Sequence, residues 1–369
     1  MKRTLLFSLP ALLVIGAACF AGWWFRTPFN QRYKEAVQKV GSTDKDRRAA
    51  LPILTQAAHR YKGTPAHAEA VYQLARCVGM LDPTNAAHWT EVLAVHSGRA
   101  ERAEARLNLA LLSADRETAL ASFAREFPEQ PAARKYLLDA GEKALAARNT
   151  ARALEAWQQL ADLQPGTAEA DAALDKLGML NMETLVKTAQ LPFTTNHTVA
   201  RGENPILIAR KHHVTAESIK RINGLSRDII APGVRLKIDL SRYMVEVSTS
   251  NHVLTLWRVW NGSTNFVKRY PVGTGKTDNT PRGQFKIVSR EKNPTWHRPG
   301  GAPVPFGSKE NLLGTRWLGI DCAGFGIHGT WAPETIGKAS SAGCIRMHNA
   351  DVEELFDLVS SGTSVTIHD

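Results

Sequence analysis

The chain changes character twice along its length, and each change excludes a single repeated architecture. From about Gln31 to Gln190, Ala, Leu, Glu and Arg dominate and apolar residues return every three or four positions, the period of amphipathic helices. After Leu191-Pro192 a compact stretch mixes strand and helix signals. From Tyr243 onward residues partly alternate, as half-buried strands require. A length of 369 residues exceeds the usual single domain, and 43% hydrophobic content can fill several cores. The expected fold class is multidomain: an α-helical hairpin region over residues 29–190, a small βααβ module over 195–240, and a mainly-β sandwich or barrel over 243–369.

The helical period is explicit in Ala68 to Cys77, Tyr136 to Arg148 and Ala151 to Leu160, with Pro83, Pro128, Pro131 and Pro165 as punctuation. Small residues where helices would cross resemble tetratricopeptide-type helical hairpins, although no clean repeat of about 34 residues is present. A helical spacer packed on itself is the simpler expectation; a surface for a protein partner is the functional one. Cys77 falls on an apolar face and reads as a core thiol.

Ahead of these helices, Met1-Lys2-Arg3 is basic, and Leu5 to Phe25 runs 21 residues with Cys19 as its one ionisable side chain. At about 1.5 Å per residue such a run can cross a bilayer. Residues 1–28 are therefore expected to be a signal-anchor or signal peptide, with 5–25 holding the chain to the cytoplasmic membrane. Lys2 and Arg3 favour an inside amino end, which puts the rest on the periplasmic side of the cell envelope. Gly16-Ala17-Ala18 leaves cleavage open. The aliphatic residue usual three before a lipidated cysteine is missing ahead of Cys19.

The excess of 46 Lys and Arg over 35 Asp and Glu is scattered, with no basic run interleaved with aromatics, so nucleic acid is not the expected partner. An anionic cell-wall polymer is compatible. Four cysteines without a CxxC pair and twelve histidines without HExxH imply no metal, no cofactor and no dense disulfide framework.

Between His197 and Ile238 the periods fit a short strand, two short helices and a closing strand, with Asn223-Gly224 and Pro232-Gly233 at turns. Val199, Gly202, Ile208, Ala209, Ile219, Asn223, Leu225, Pro232, Gly233, Leu236 and Ile238 resemble the LysM pattern. That resemblance implies binding of N-acetylglucosamine-containing glycan. His197 stands where an aromatic is usual, and Glu203-Asn204-Pro205 replaces the common Asp-Thr-Leu.

In the last segment the strand candidates are Met244 to Val247, Val253 to Trp260, Asn265 to Val272, Gly283 to Ser289, Trp317 to Asp321 and Ser364 to His368. One helix is predicted over Ala350 to Leu358, opened by the polar His348-Asn349. Within this segment His328-Gly329 precedes Ser341-Ala342-Gly343-Cys344-Ile345-Arg346, the cysteine falling sixteen residues after the histidine. Thiol attack on a carbonyl needs a sulfur, an imidazole to take its proton and donors for the oxyanion. Small residues before Cys344 leave room for an exposed sulfur. Gly329 lets the backbone turn so that a carbonyl could orient the imidazole, and Arg346 adds positive charge favouring thiolate. The bland alternative is a buried, inert cysteine.

These residues closely resemble the YkuD family of L,D-transpeptidases, whose signature pairs His-Gly with Ser or Thr, a variable residue, Gly, Cys, an apolar residue and often Arg. The family's earlier glycine-rich segment is matched by Tyr270 to Lys276 and Thr280 to Phe285. The resemblance implies Cys344 as acyl nucleophile, His328 as general base oriented by the Gly329 carbonyl, and backbone N–H groups around Gly343 and Cys344 as oxyanion hole. Ser341 and Arg346 would be wall or positioning residues, and Trp296, Trp317 and Trp331 could line a peptide groove. Ala342 departs from the second histidine frequent there.

The implied reaction joins peptidoglycan stem peptides. Cys344 attacks the carbonyl between meso-diaminopimelate and D-Ala, D-Ala leaves, and an amine takes the acyl group. Water as acceptor would make an L,D-carboxypeptidase. A peptidoglycan-binding scaffold without catalysis is the non-enzyme alternative. Cys322 is expected to be a free thiol, since a bond to Cys344 would silence the nucleophile.

Overall fold

The computed structural model describes residues 28–276, 279–298 and 300–369. The expected membrane segment, residues 5–25, lies outside the described residues. Among the described residues no helix is long and apolar enough to cross a membrane. The chain divides between Asp139 and Ala140 into two compact units.

The first unit holds α1 (Pro28–Val40), α2 (Asp44–Arg60), α3 (His67–Leu81), α4 (Ala87–Val95), α5 (Arg99–Leu112), α6 (Arg116–Glu126) and the start of α7 (Pro131–Ala146). Their ends follow local chemistry. The Thr43 hydroxyl accepts the Asp46 N–H and the Asp115 carboxylate accepts that of Thr118, each satisfying a donor that the first helical turn leaves open. The core is rich in small residues, with Ala36, Ala50, Ala58, Ala75 and Ala105 packed among Leu54, Val71, Leu74 and Trp89, so neighbouring helices approach closely. Cys77 is fully buried there, and burial raises its thiol pKa, in keeping with a core role.

The second unit begins with the end of α7 and with α8 (Thr150–Leu163) and α9 (Ala168–Lys187). Trp157 is buried against Gly141, where an added Cβ would lie 2.2 Å from the indole nitrogen. The helix α9 is more than a spacer, because it closes one side of the β-rich core. Met182 and Leu185 join that core, Asn181 Nδ2 donates to the carbonyls of Phe266 and Val267 at 3.2 and 3.1 Å, and Asp171 and Asp175 pair with Arg269 at 2.6 and 2.7 Å.

The small module pairs β1 (Thr194–Thr198) antiparallel with β2 (Arg235–Asp239) and packs α10 (Pro205–His212) and α11 (Ala216–Ile222) on them. Val199, Ile208, Ala209, Ile219, Leu236 and Ile238 form its core. Asn223 ties helix to strand: its amide donates to Ile219 O and Lys237 O and accepts the Lys237 N–H, all at 2.8 Å. The positions that depart from the usual pattern have local partners. Asn204 caps α10, Glu203 accepts the Ala200 N–H at 2.8 Å, and His197 bridges Glu203 at 2.7 Å and His212 at 3.1 Å. Lys237, 8% exposed, reaches the carbonyls of Leu185, Val186 and Thr188 at 2.5, 2.9 and 2.7 Å. A cation there satisfies the open carbonyl end of α9 and fixes the module to it.

The remaining strands are β3 (Arg242–Ser248), β4 (Val253–Trp260), β5 (Ser263–Pro271), β6 (Thr274–Gly275), β7 (Gly283–Lys292), β8 (Arg316–Ile320), β9 (Gly326–His328), β10 (Ala339–Ser341), β11 (Ile345–Arg346) and β12 (Ser364–His368). They form one curled eight-stranded sheet in the order β11-β9-β8-β7-β12-β3-β4-β5, with β6 and β10 as a separate parallel pair. The expected mainly-β domain is thus of the distorted-barrel kind. Alternation sends Val245, Val247, Leu254 and Leu256 inward against Val352, Leu355 and Phe356 of α12 (Asn349–Leu358).

Candidate active site

The strands β9 and β11 run parallel, with Ile327 opposite Ile345 and His328 opposite Arg346. Both isoleucines enter the core. A two-residue period therefore turns Gly326, His328, Cys344 and Arg346 to the other face. Cys344, the residue before β11, falls at Gly326, whose backbone hydrogen-bonds the thiol, two positions along β9 from His328.

His328 is held from three sides. Its backbone carbonyl accepts the Met347 N–H at 2.8 Å, its ring stacks on Trp317 with centroids 5.9 Å apart, and Nδ1 lies 2.6 Å from the Gly329 carbonyl oxygen. A carbonyl only accepts, so Nδ1 carries the proton and Nε2 keeps its lone pair. Asn349 completes this support, and sequence reasoning gave it only a place in a helix cap. The helix begins at Asn349 itself, one residue before the expected start. Its side chain caps nothing: Oδ1 instead accepts the Thr315 N–H at 3.1 Å. A Cβ on Gly329 or Gly314 would come within 2.1 or 2.3 Å of that oxygen. Both glycines are required by its approach.

The turn leading into Cys344 is tied by Ser341, whose buried hydroxyl donates to the Cys344 carbonyl at 2.7 Å and accepts the Gly343 N–H at 3.0 Å. This revises the role expected for Gly343. Its N–H serves Ser341 in this structure and is not an open oxyanion donor. What the glycine supplies is space: at φ +142° an added Cβ would sit 2.5 Å from the Phe325 ring and 2.9 Å from Asn279 O. Gly343→Ala is therefore expected to cost about 1–3 kcal/mol of stability and to slow any chemistry at Cys344. Urea unfolding and initial rates check both; wild-type stability would mean that the turn is looser than this geometry.

Electrostatics place both reactive groups in their neutral forms. Burial raises the Cys344 thiol pKa, outweighing a backbone hydrogen bond from Gly326 and the positive charge of Arg346, so the thiolate expected from Arg346 alone is not the resting form. Burial likewise lowers His328 to about 4, against the opposing bond to Gly329 and with Arg346 adding repulsion. The Arg346 Nε is buried without a hydrogen-bond partner among the described residues.

Of the three tryptophans, Trp317 stacks on His328. Trp331 is 51% exposed and tilts against Phe306 at 6.2 Å, and Trp296 is half-buried in a backbone bridge to Val304. Cys322 and Cys344 are both free thiols. Cys322 opens the turn whose Gly324 carbonyl lies 3.6 Å from the Cys344 sulfur. A free sulfur and a neutral imidazole with its lone pair available, beside a guanidinium whose Nε has no partner among the described residues, can carry out acyl transfer through a thioester.

Residues 242–367 match the family model of the L,D-transpeptidase catalytic domain, and residues 197–239 match that of the LysM domain. A protein named as an L,D-transpeptidase, YkuD of Bacillus licheniformis, is 39% identical over 180 residues, covering 46% of this chain and 97% of its own. Its namesake in Bacillus subtilis is 36% identical over 180 residues, covering 47% and 98%. Among solved structures, an L,D-transpeptidase from Mycobacterium smegmatis overlaps 37% of this chain and 64% of its own at 18% identity, with a TM-score of 0.29.

Proposed function

Because the chain belongs to the YkuD family of L,D-transpeptidases, we propose that it transfers peptidoglycan stem peptides through a thioester on Cys344. The observation that carries this reading is the short bond from His328 Nδ1 to the Gly329 carbonyl, because it leaves Nε2 as the proton acceptor on the face that Cys344 shares. As sulfur bonds to the carbonyl carbon between meso-diaminopimelate and D-Ala, its proton passes to Nε2. Collapse of the tetrahedral adduct breaks the C–N bond, and the imidazolium returns the proton to the departing D-Ala amine. An acceptor amine then attacks the thioester and gives its proton to Nε2, restoring the thiol.

Around this centre Arg346, whose Nε lacks a partner among the described residues, faces a substrate carboxylate. Ser341 keeps the turn closed and Trp317 buttresses the base. Trp331 and Trp296 line the approach at most from its rim. The oxyanion donors come from the backbone about Cys344 once substrate arrives. A LysM domain beside an L,D-transpeptidase domain supports a cell-envelope location and N-acetylglucosamine-containing glycan as the ligand of the small module; an anchor in residues 5–25 is supported by their apolar sequence alone.

The test is intact-mass spectrometry of the reduced protein with disaccharide-tetrapeptide. An adduct lacking D-Ala, followed by a cross-linked dimer, is expected. Adduct followed by tripeptide would make water the acceptor, and folded protein without adduct would refute acyl transfer from this donor.

A further inference from the structure

The helix that follows the nucleophile turn also holds the LysM module. At its amino end, Asn349 fills the space between Gly314 and Gly329, the residue that follows His328. Near its carboxyl end, Asp357 receives Arg221 of α11 at 2.8 Å, and its carbonyl accepts the Thr215 hydroxyl. Glu354, one turn earlier, faces Arg221 at 3.8 Å and is fixed by Lys268 at 2.6 Å and Tyr270 at 3.0 Å. A second clamp runs the opposite way: Glu217 of α11 takes Lys292 at 2.7 Å and Arg290 at 3.5 Å from the end of β7. Arg290 in turn lies over the Phe356 ring at 4.1 Å and donates to the Phe356 carbonyl at 2.7 Å.

Charges are thus exchanged in both directions across the junction, and most of the side chains are well shielded from water. Such pairs hold orientation better than exposed ones, because leaving either partner alone is costly. A ten-residue helix spans about 15 Å and does not bend without a break in its ladder. One end braces the Gly329 backbone, whose carbonyl partners the imidazole, and the other carries the module.

We propose that α12 is a strut setting a fixed distance between the LysM module and Cys344, with Glu217 and Asp357 as positioning residues. The preferred donor is then a stem peptide still borne on a glycan strand long enough to reach the module. The proposal rests on the transpeptidase and glycan-binding reading above. A module on a loose tether would favour long strands only gradually. A rigid one gives a step at the length where both sites are first occupied, since the second contact becomes intramolecular.

The experiment measures kcat and KM of the full chain on stem-bearing glycan oligomers of increasing length. Wild type is expected to show a step of about tenfold in kcat/KM, carried by KM. Glu217→Gln with Asp357→Asn loses the step and keeps wild-type kcat on the shortest donor, which also reports that the variant is folded. A separate variant that exchanges the pair, Arg221→Asp with Asp357→Arg, keeps Glu217 in place and retains part of the step. A wild-type profile flat in length, or a step that survives in the neutralised variant, overturns the strut. Absence of turnover on every donor, the shortest included, overturns the transpeptidase reading itself.

Discussion

Cys344→Ala is expected to abolish the thioester and to lower D-Ala release by at least about ten-thousandfold, the scale on which covalent catalysis fails when its nucleophile is removed. The substitution leaves the fold intact, because the turn is tied by the Ser341 hydroxyl to the Cys344 carbonyl and the Gly343 N–H, none of which involves sulfur. Cys344→Ser is expected to be nearly as inactive, since a neutral, weakly basic imidazole cannot activate a hydroxyl far less acidic than a thiol. The same electrostatics give the wild type a recognisable pH signature. With the thiol pushed up by burial and His328 down to about 4, no thiolate-imidazolium pair preforms. Alkylation of free enzyme by iodoacetamide should then rise by about tenfold per pH unit between 7 and 9, following the thiolate fraction. A pH-independent rate in that window would show a preformed thiolate and require a different proton route. Mass spectrometry of the digested protein after alkylation separates Cys344 from Cys322.

Much of this site is readable from local sequence because its roles depend on neighbours in the chain. Gly329 follows His328, so the bond from the ring to the next carbonyl is a one-residue event. The Ser341 tie spans the turn to Cys344, and the small residues there forecast a tight backbone. The LysM pattern is equally local: Asn223 reaches Ile219 within its own turn and Lys237 on the closing strand.

What stayed hidden joins distant segments. Asn349 opens a helix, and in sequence that is indistinguishable from a cap; its contact with Thr315 and the two glycines exists only once β8 and β9 are paired. The helical period of α9 gives no sign that Met182 and Leu185 belong to a β-rich core, since an apolar stripe does not name what it packs against. Arg346 was legible as positive charge near the thiol, but burial decides the balance, and burial is a tertiary quantity. Even the neutral state of His328 follows from Trp317 and the closing strands rather than from its own motif.

That buried imidazole ties activity to acid stability in one residue. His328→Gln is expected to reduce kcat/KM by about 10²–10⁴-fold, the usual contribution of a positioned base, while its amide can still donate to the Gly329 carbonyl. The stability effect has the opposite sign at low pH. The folded chain keeps His328 neutral down to about 4, whereas the unfolded chain takes up a proton near 6.5. Unfolding therefore gains a proton as pH falls from 6.5 to 4, and wild-type stability falls over that window by on the order of 3 kcal/mol before levelling off. Above 6.5 both states are neutral and this group contributes no pH dependence. The glutamine variant lacks the proton, so it should gain on wild type as the solution is acidified, whatever its stability at pH 7. Urea unfolding of both chains at pH 7 and near pH 4.5 measures that relative gain. Parallel losses in the two chains would mean that the folded imidazole titrates normally, and the acid limb of wild-type kcat/KM would then move from about 4 toward 6.5.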